Sequence, residues 1–533
     1  VTIGPARDAT PAPIERPGLT GRAWIALAAL SLAALLLRLG YLWWSADLPG
    51  FAWVDPDNYL GEGRRLIDRR GEWRWSYEAV RYQGGYYKAP LYPVFLSLVA
   101  RITPFDYGWS VAIVETLLGA ALVPMVFQLG RLCHSNRAGW IAAGLQTIDL
   151  QQIQLAGVFR QEEVYIPAMT AALVCLGAAI ERGIGVGRFV TAGLLTGIAA
   201  LARSMPVMFV GPVAAAIVIW AGWRSRGPAC AAGFVAGFLI VVVPYSVMLS
   251  SRANRPILIE NIGGYGFALT HPEFLVRPPT TAETVRLAAE NMAPAVAVPL
   301  ARGVLRPSGG RALQTMNPMP DRWRAAVITW MVRVGDDLLV SLVLLTAPFG
   351  LLLARNRRVA WMLGLWCVIN LGAVVLAGYS GPRFRSPFMV ELIVFAAVVL
   401  AGSWRTIARP ARWGGAVLTL IASWIIVEAL PRSLDARVDY GLTPWVYDSG
   451  ARRASASGDA GFTAYPIAGM IRLSIEALEP SGTTAVSISV DGREPRTVGV
   501  SESGVHLDLA VAPDAQWVFV ETRSSRPLEI VTR

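Results

Sequence analysis

Long apolar runs separated by short arginine-bearing turns limit what this chain can fold into more than any other feature. A membrane-spanning helix needs about 20 mostly apolar residues, in a range of roughly 17–25. Runs of that kind lie at 23–45, 107–130, 138–157, 162–180, 205–223, 228–250, 327–354, 359–378, 386–404 and 413–430. A shorter run, 189–202, is followed by Arg203 and Pro206 and reads as one more span that breaks before the next. The expectation is an all-α polytopic membrane protein with about eleven spans. Composition agrees: 54% of the 533 residues are hydrophobic and 16% are charged, where a soluble domain carries about 25% charged residues. The first run is too long for a signal-peptide core and has no clear cleavage site, so it reads as a retained anchor. The polar, Pro-rich segment 1–22 reads as a disordered cytoplasmic tail.

The turns set an orientation. With the N-terminal side cytoplasmic, the inside turns carry Arg131 and Arg137; Arg182 and Arg188; Arg224 and Arg226; Arg355, Arg357 and Arg358; and Arg405, Arg409 and Arg412. Five basic turns on one side is the positive-inside pattern. It implies a bacterial inner (plasma) membrane protein whose long loops 46–106 and 251–326, short turn 379–385 and C-terminal domain share the periplasmic or extracellular side. The net charge of +11 is spread over these turns and forms no continuous basic face, so nucleic acid is excluded as a partner. Cys133, Cys175, Cys230 and Cys367 lie in or beside apolar runs. They form neither a disulfide framework nor a CxxC metal pair.

The chain therefore divides into the tail 1–22, a membrane domain 23–430, and an outer domain 431–533. In the second outer loop, Thr280 and Glu283 have the spacing of a helix-capping box. In the last domain TTAVSISVDG, GVHLDLAV and QWVFVET alternate apolar and polar residues, and Asp491-Gly492 is a hairpin-type turn. That pattern predicts a small β-sandwich-like module.

The residues that can carry chemistry gather in the outer loops. Asp55 and Asp57 follow the first span, with Tyr59, Arg64 and Arg65 close behind. Lys88-Ala89-Pro90-Leu91-Tyr92-Pro93 closes the same loop. The acids can serve as a general base, as metal ligands, or only as solvated loop residues, and Asp57 is placed to cap a helix starting near Tyr59. Glu162 and Glu163 open a span from the outer side, where acids also suit the helix dipole. Arg383 and Arg385 open a late span on the outer side, where a positive-inside signal does not explain them. Their guanidinium forks suit phosphate, and snorkelling to headgroups is the alternative. The glycines of GLLTGIAALAR, 193–203, suit close helix packing. Trp53, Trp73, Trp75, Tyr77, Tyr82, Tyr86 and Tyr87 form an interfacial belt, or supply a sugar-stacking face.

Asp-x-x-x-Tyr (Asp55, Tyr59) after the first span and Lys-x-Pro-Leu-Tyr (Lys88, Tyr92) before the second resemble the lipid-sugar-dependent glycosyltransferases of the GT-C superfamily. The protein O-mannosyltransferase and aminoarabinose (lipid A) transferase branch is the nearest in pattern. The resemblance covers about 23 to 404, chiefly through hydropathy and loop placement. Many relatives have Asp-Glu at the start, whereas Pro56 follows Asp55 here and Asp57 is additional. Asn261-Ile262-Gly263-Gly264-Tyr265-Gly266 resembles the stretch that begins the large outer loop in several branches. The resemblance implies transfer of a hexose or pentose from a polyprenyl-phosphate donor to a glycan, lipid or protein acceptor, by single displacement with inversion. Asp55 and Glu162 are then the expected catalytic acids. Asp57, Tyr59, Lys88, Tyr92, Arg383 and Arg385 are the expected substrate contacts, with Lys88 and the two arginines on the phosphate. No cofactor is required, though a divalent metal on Asp55 with Glu162 stays open. Two rival classes remain. A transporter or flippase would use charges inside spans, for which Asp149, Asp336 and Asp337 are the candidates. A non-catalytic envelope assembly factor would use the β-module.

Overall fold

The computed structural model describes 19–46, 58–67, 80–81, 86–102, 107–182, 185–261, 274, 277–305, 322–378 and 382–402, and nine C-terminal strands between 440 and 532. The first part is helical: α1 Gly21–Ser45, α2 Tyr59–Arg65, α3 Leu91–Ile102, α4 Tyr107–Cys133, α5 Asn136–Thr147, α6 Leu150–Leu155, α7 Glu162–Arg182, α8 Val186–Ala202, α9 Pro206–Ala221, α10 Gly227–Ala253, α11 Thr281–Asn291, α12 Pro294–Leu305, α13 Arg322–Leu353, α14 Arg357–Leu376, a 3₁₀ turn Pro382–Arg385, and α15 Ser386–Ala401. Five are long and apolar enough to cross a membrane: Gly21–Ser45, Tyr107–Cys133, Glu162–Glu181, Gly227–Ala253 and Arg357–Leu376. Shorter apolar helices are Leu91–Ile102, Val186–Ala202, Pro206–Ala221, Leu338–Leu353 and Ser386–Ala401. The outward faces are as apolar as the inward ones. On α1, Leu27, Ala34 and Leu42 are buried while Trp24, Ile25, Leu32, Leu36 and Trp43 are exposed. Such surfaces suit lipid as the solvent, and the exposed Trp24, Trp43, Trp223 and Trp361 near helix ends suit its interfaces. The chain is a multi-pass membrane protein.

Two expectations change. The run 138–157 is not one continuous helix. Helix α5 stops at Thr147, and Asp149 caps a new short helix by accepting from the Gln151 and Gln152 amides. A side chain that satisfies the first amides of a helix stabilises a fresh start at that point, and the polar Gln151, Gln152 and Gln154 that follow are all buried. Helix α2 does begin at Tyr59, but its cap residue is Asn58, in left-handed conformation with no side-chain cap bond. The span expected at 413–430 lies outside the described residues.

Small residues set a close contact between α8 and α10. Gly193 and Gly197 of α8 face the α10 backbone around Phe234, Phe238 and Val241, and Gly233 and Gly237 of α10 face α8 around Val186, Val190 and Leu194. A Cβ at Gly193 would meet the Phe234 carbonyl, and one at Gly237 would meet that of Val190. Two small-xxx-small faces let the backbones approach as lipid-embedded helices require. Helix α9, between them in sequence, lies outside this pair, with Met208 and Ile219 exposed.

The helices turn back at two ends. At one end short capped turns meet: Ser135 caps α5, Asn356 caps α14, and the Asn356 amide donates to the Cys133 carbonyl at 2.9 Å. At the other end the longer loops gather. Tyr59 reaches Gln161, Arg203 reaches Glu162, and the Asn291 amide group reaches the Leu376 carbonyl at 3.1 Å. Helix α11 stands at this loop end and starts at the capping box read from the sequence. Arg277 donates to both Glu283 oxygens, and the Thr280 amide adds a third bond. These donors, Arg277 first, hold the Glu283 carboxyl well below the usual carboxylate range.

The C-terminal strands are β1 Tyr440–Leu442, β2 Val446–Asp448, β3 Ala451–Ala464, β4 Met470–Ala477, β5 Thr484–Val490, β6 Arg496–Val500, β7 Val505–Ala510, β8 Val518–Arg523 and β9 Leu528–Thr532. They run in the order β6-β5-β8-β3-β9-β4-β7, with β1 and β2 also on β3. Strand β3 joins the halves: 452–456 pairs with β9 and 460–464 with β8, both antiparallel. Leu473, Ile475, Leu528 and Ile530 from one half and Val486, Ile488, Val500 and Val520 from the other form one buried cluster. Alternation along each strand sends these residues to one face. Strands β5 and β6 pair as a hairpin around Asp491-Gly492, which lies outside the described residues.

Candidate active site

The site begins with the strip 86–90, which the sequence holds in place between two loops. The Lys88 amide donates to the Val80 carbonyl at 2.8 Å, and Arg81 bridges Tyr87. The Tyr87 amide donates to Asn261 Oδ1 at 2.6 Å, and the Asn261 amide donates back to the Tyr87 carbonyl at 3.2 Å. The Tyr86 hydroxyl donates to the Phe274 carbonyl at 2.7 Å. Pro90 then leads into α3, whose buried face includes Tyr92 and Leu96.

This strip points Lys88 inward. Its Nζ lies 2.8 Å from Glu62 Oε1, with both side chains 3% exposed, and 4.3 Å from the centre of the Tyr59 ring. Tyr59 meets Tyr92 edge to face at 4.9 Å between centroids, and the Tyr92 hydroxyl donates to Glu115 Oε1 at 2.5 Å. The Tyr59 hydroxyl donates to Gln161 Oε1 at 3.0 Å. A lysine taken from water needs partners that stabilise its charge. Here a carboxylate and an aromatic face supply them.

Beside Gln161, Glu162 opens α7 and accepts from Arg203 Nη1 at 2.7 Å. Arg203 ends α8, with its guanidinium 5.9 Å from the Phe384 ring. Phe384 leads to Arg385, which is fully buried. Arg385 donates to Gln151 Oε1 at 3.3 Å, to Asp336 Oδ2 at 3.5 Å and to the Val304 carbonyl at 3.5 Å. Arg38 of α1, fully buried like Arg385, packs against Gly119, donates to the Ala34 carbonyl, and lies in the field of Glu163 and Asp149.

The structure thus joins Tyr59, Lys88 and Tyr92 directly, and links Glu162 to them through Gln161. Arg385 faces the interior around Asp336. Asp55 and Asp57 lie outside the described residues, as does the Arg383 side chain. Sequence reasoning missed Glu62, Glu115, Gln161, Glu260 and Arg38, and took Arg203 only as the end of a span. For Arg38 a signal existed: an arginine inside the first apolar run is costly unless it is partnered. Among the described residues no three His, Cys, Asp or Glu side chains converge on a metal position. Of the pair left open above for a divalent metal, Glu162 accepts from Arg203 and Asp55 lies outside the described residues.

These features define a polytopic helical membrane protein with a charged, aromatic-walled site among the loops at one end of its bundle. Residues 87–248 match the family model described as dolichyl-phosphate-mannose-protein mannosyltransferase, and the GT-C resemblance of the loop motifs agrees with it. Among solved structures, the chain is similar to the Archaeoglobus fulgidus oligosaccharyltransferase in the apo form. The identity is 17% over 77% of this chain and 55% of that one, with a TM-score of 0.45. ArnT from Cupriavidus metallidurans bound to undecaprenyl phosphate matches at 15% identity over 78% and 72%, TM-score 0.45. The chain spans just over half the length of the archaeal enzyme. No curated protein matches.

Proposed function

We propose that the chain is a membrane glycosyltransferase that moves a sugar from a polyprenyl-phosphate carrier to an acceptor at the periplasmic or outer face. The observation that carries this reading is Lys88, a buried cation over the Tyr59 ring, inside the segment that matches the mannosyltransferase family. A lipid-linked donor keeps its tail in the bilayer and its phosphate and sugar at the interface. A cation at the loop end of the bundle meets the phosphate there. One of the similar solved structures named above is bound to undecaprenyl phosphate.

In this reading the acceptor oxygen forms a bond to the anomeric carbon as the bond from that carbon to phosphate oxygen breaks. The acceptor proton passes to Asp55. The electron pair leaves with the polyprenyl phosphate, whose charge Lys88 stabilises as it turns from Glu62, its partner in the structure. Glu162, oriented by Arg203, shapes the acceptor side. Arg383 and Arg385 complete the phosphate contacts only if the 3₁₀ turn releases Arg385 from Asp336. The five basic turns support a loop end that faces outward.

The test incubates purified protein with a panel of polyprenyl-phosphate sugars and measures free polyprenyl phosphate. Release that falls about 10²–10⁴-fold in Asp55→Asn is the expected result, the usual scale for loss of a general base. Near-normal release in that variant rejects the base. No release from any donor rejects the enzyme.

One observation favours a second reading. The Arg385–Asp336 contact ties a cation to a carboxylate in a long, partly apolar helix, and charges paired within the bundle are a transporter trait. A flippase would move labelled lipid across vesicles without cleaving it.

A further inference from the structure

We propose that Glu260 is a positioning residue that sets Lys88 and Arg203 relative to one another. The inference rests on the glycosyltransferase reading of the site. Glu260 is half-buried at the start of the second long loop, and its two oxygens serve two separate elements. Oε2 accepts from the Ala89 amide at 3.1 Å. Oε1 accepts from the Ser204 amide at 2.8 Å and from the Ser204 hydroxyl at 2.7 Å. Ala89 follows Lys88 in the chain, and Ser204 follows Arg203. One carboxylate therefore fixes the backbone beside the phosphate-binding cation and the backbone beside the cation that holds Glu162.

The chemistry demands a carboxylate. Three donors converge on two oxygens, and an ionised carboxylate is acceptor-only at both. Glutamine can satisfy one side, but its amide group then confronts a donor on the other. Aspartate keeps two acceptors and is one carbon too short to reach both elements. Asn261 strengthens the same clasp through its two bonds with Tyr87. The negative charge of Glu260 also attracts Arg203. Neither Lys88 nor Arg203 touches Glu260 through its own side chain in these bonds. Glu260 acts through the strips that carry them.

The test uses the full chain, with undecaprenyl phosphate as the probe. Glu260→Gln is expected to weaken binding about tenfold or more, the scale for losing a hydrogen bond to a charged acceptor. With an active donor the variant should raise KM more than it lowers kcat. Lys88→Gln should weaken binding too. Combining the two should cost no more than Lys88→Gln alone, because residues acting through one contact are not additive. Additive losses, or wild-type affinity in Glu260→Gln, overturn the proposal. Amide exchange supplies the control for folding. In Glu260→Gln it should rise at 89 and 204 and stay unchanged through α8 and α10. A rise throughout those helices shows that Glu260 serves the fold, and it overturns the positioning role. Wild-type protein that binds no undecaprenyl phosphate overturns the reading of the site instead, while a rise confined to 89 and 204 still reports the clasp.

Discussion

Arg203 holds Glu162 on one side and lies over Phe384 on the other. A lysine there keeps the charge but loses the planar group that stacks on the ring. Arg203→Lys should therefore lower polyprenyl-phosphate release about tenfold, the scale of one cation–π contact plus an imperfect ion pair, with donor binding changed less. Equal losses in both would show that Arg203 contacts the donor itself. Glu283 yields a prediction with a defined sign. Its folded carboxyl titrates below the ordinary value, so its contribution to α11 is present above about pH 4, the unfolded range. That contribution is lost as pH falls through the lowered folded value. Amide exchange of 280–292 should stay slow through the pH range where ordinary carboxylates protonate, and Glu283→Gln should speed it already at neutral pH. The two kinds of residue were not equally legible. Tyr59, Lys88 and Tyr92 stood out because two short motifs carry them. Glu162 and Arg203 are 41 positions apart, and Ala89 and Glu260 are 171 apart. Such pairs form only when helices cross, and no local pattern announces them.

At the scale of elements, hydropathy located most spans to within a few residues, because lipid demands long unbroken apolar helices. It failed at 138–157, where Asp149 caps a second start. A window average smooths over one cap and three glutamines. The glycines of GLLTG were readable as packing residues, but their partner was not. That partner, GFVAG on α10, lies beyond an intervening helix. Gly237→Leu should force the two backbones apart. Overpacking of this kind costs about 1–3 kcal/mol, occasionally more. A lowered unfolding temperature in detergent measures it, and Gly211→Leu on α9, where a Cβ meets nothing within 4 Å, is the control. The β-module shows the same limit: alternation found the strands, and the shared use of β3 by two halves came only from tertiary pairing.

For the whole molecule, the basic turns predict that the loop end and the β-module face one side and the capped turns the other. In a cysteine-free background, Ser457→Cys and Arg355→Cys should label from opposite sides of the membrane. Arg355 is preferred to its neighbour Asn356, which caps α14. Labelling of both from the same side would sink the orientation and with it the placement of the site. The pairing of α8 with α10 bears on how such a chain is made. Its two glycine faces cannot meet until α10 has been synthesised and released into the bilayer. During that interval α8 holds its notched surface against lipid, and α9 must stay aside rather than fill it. Assembly at this point is therefore out of chain order, and a ribosome stalled after α9 would leave a hairpin whose best partner does not yet exist.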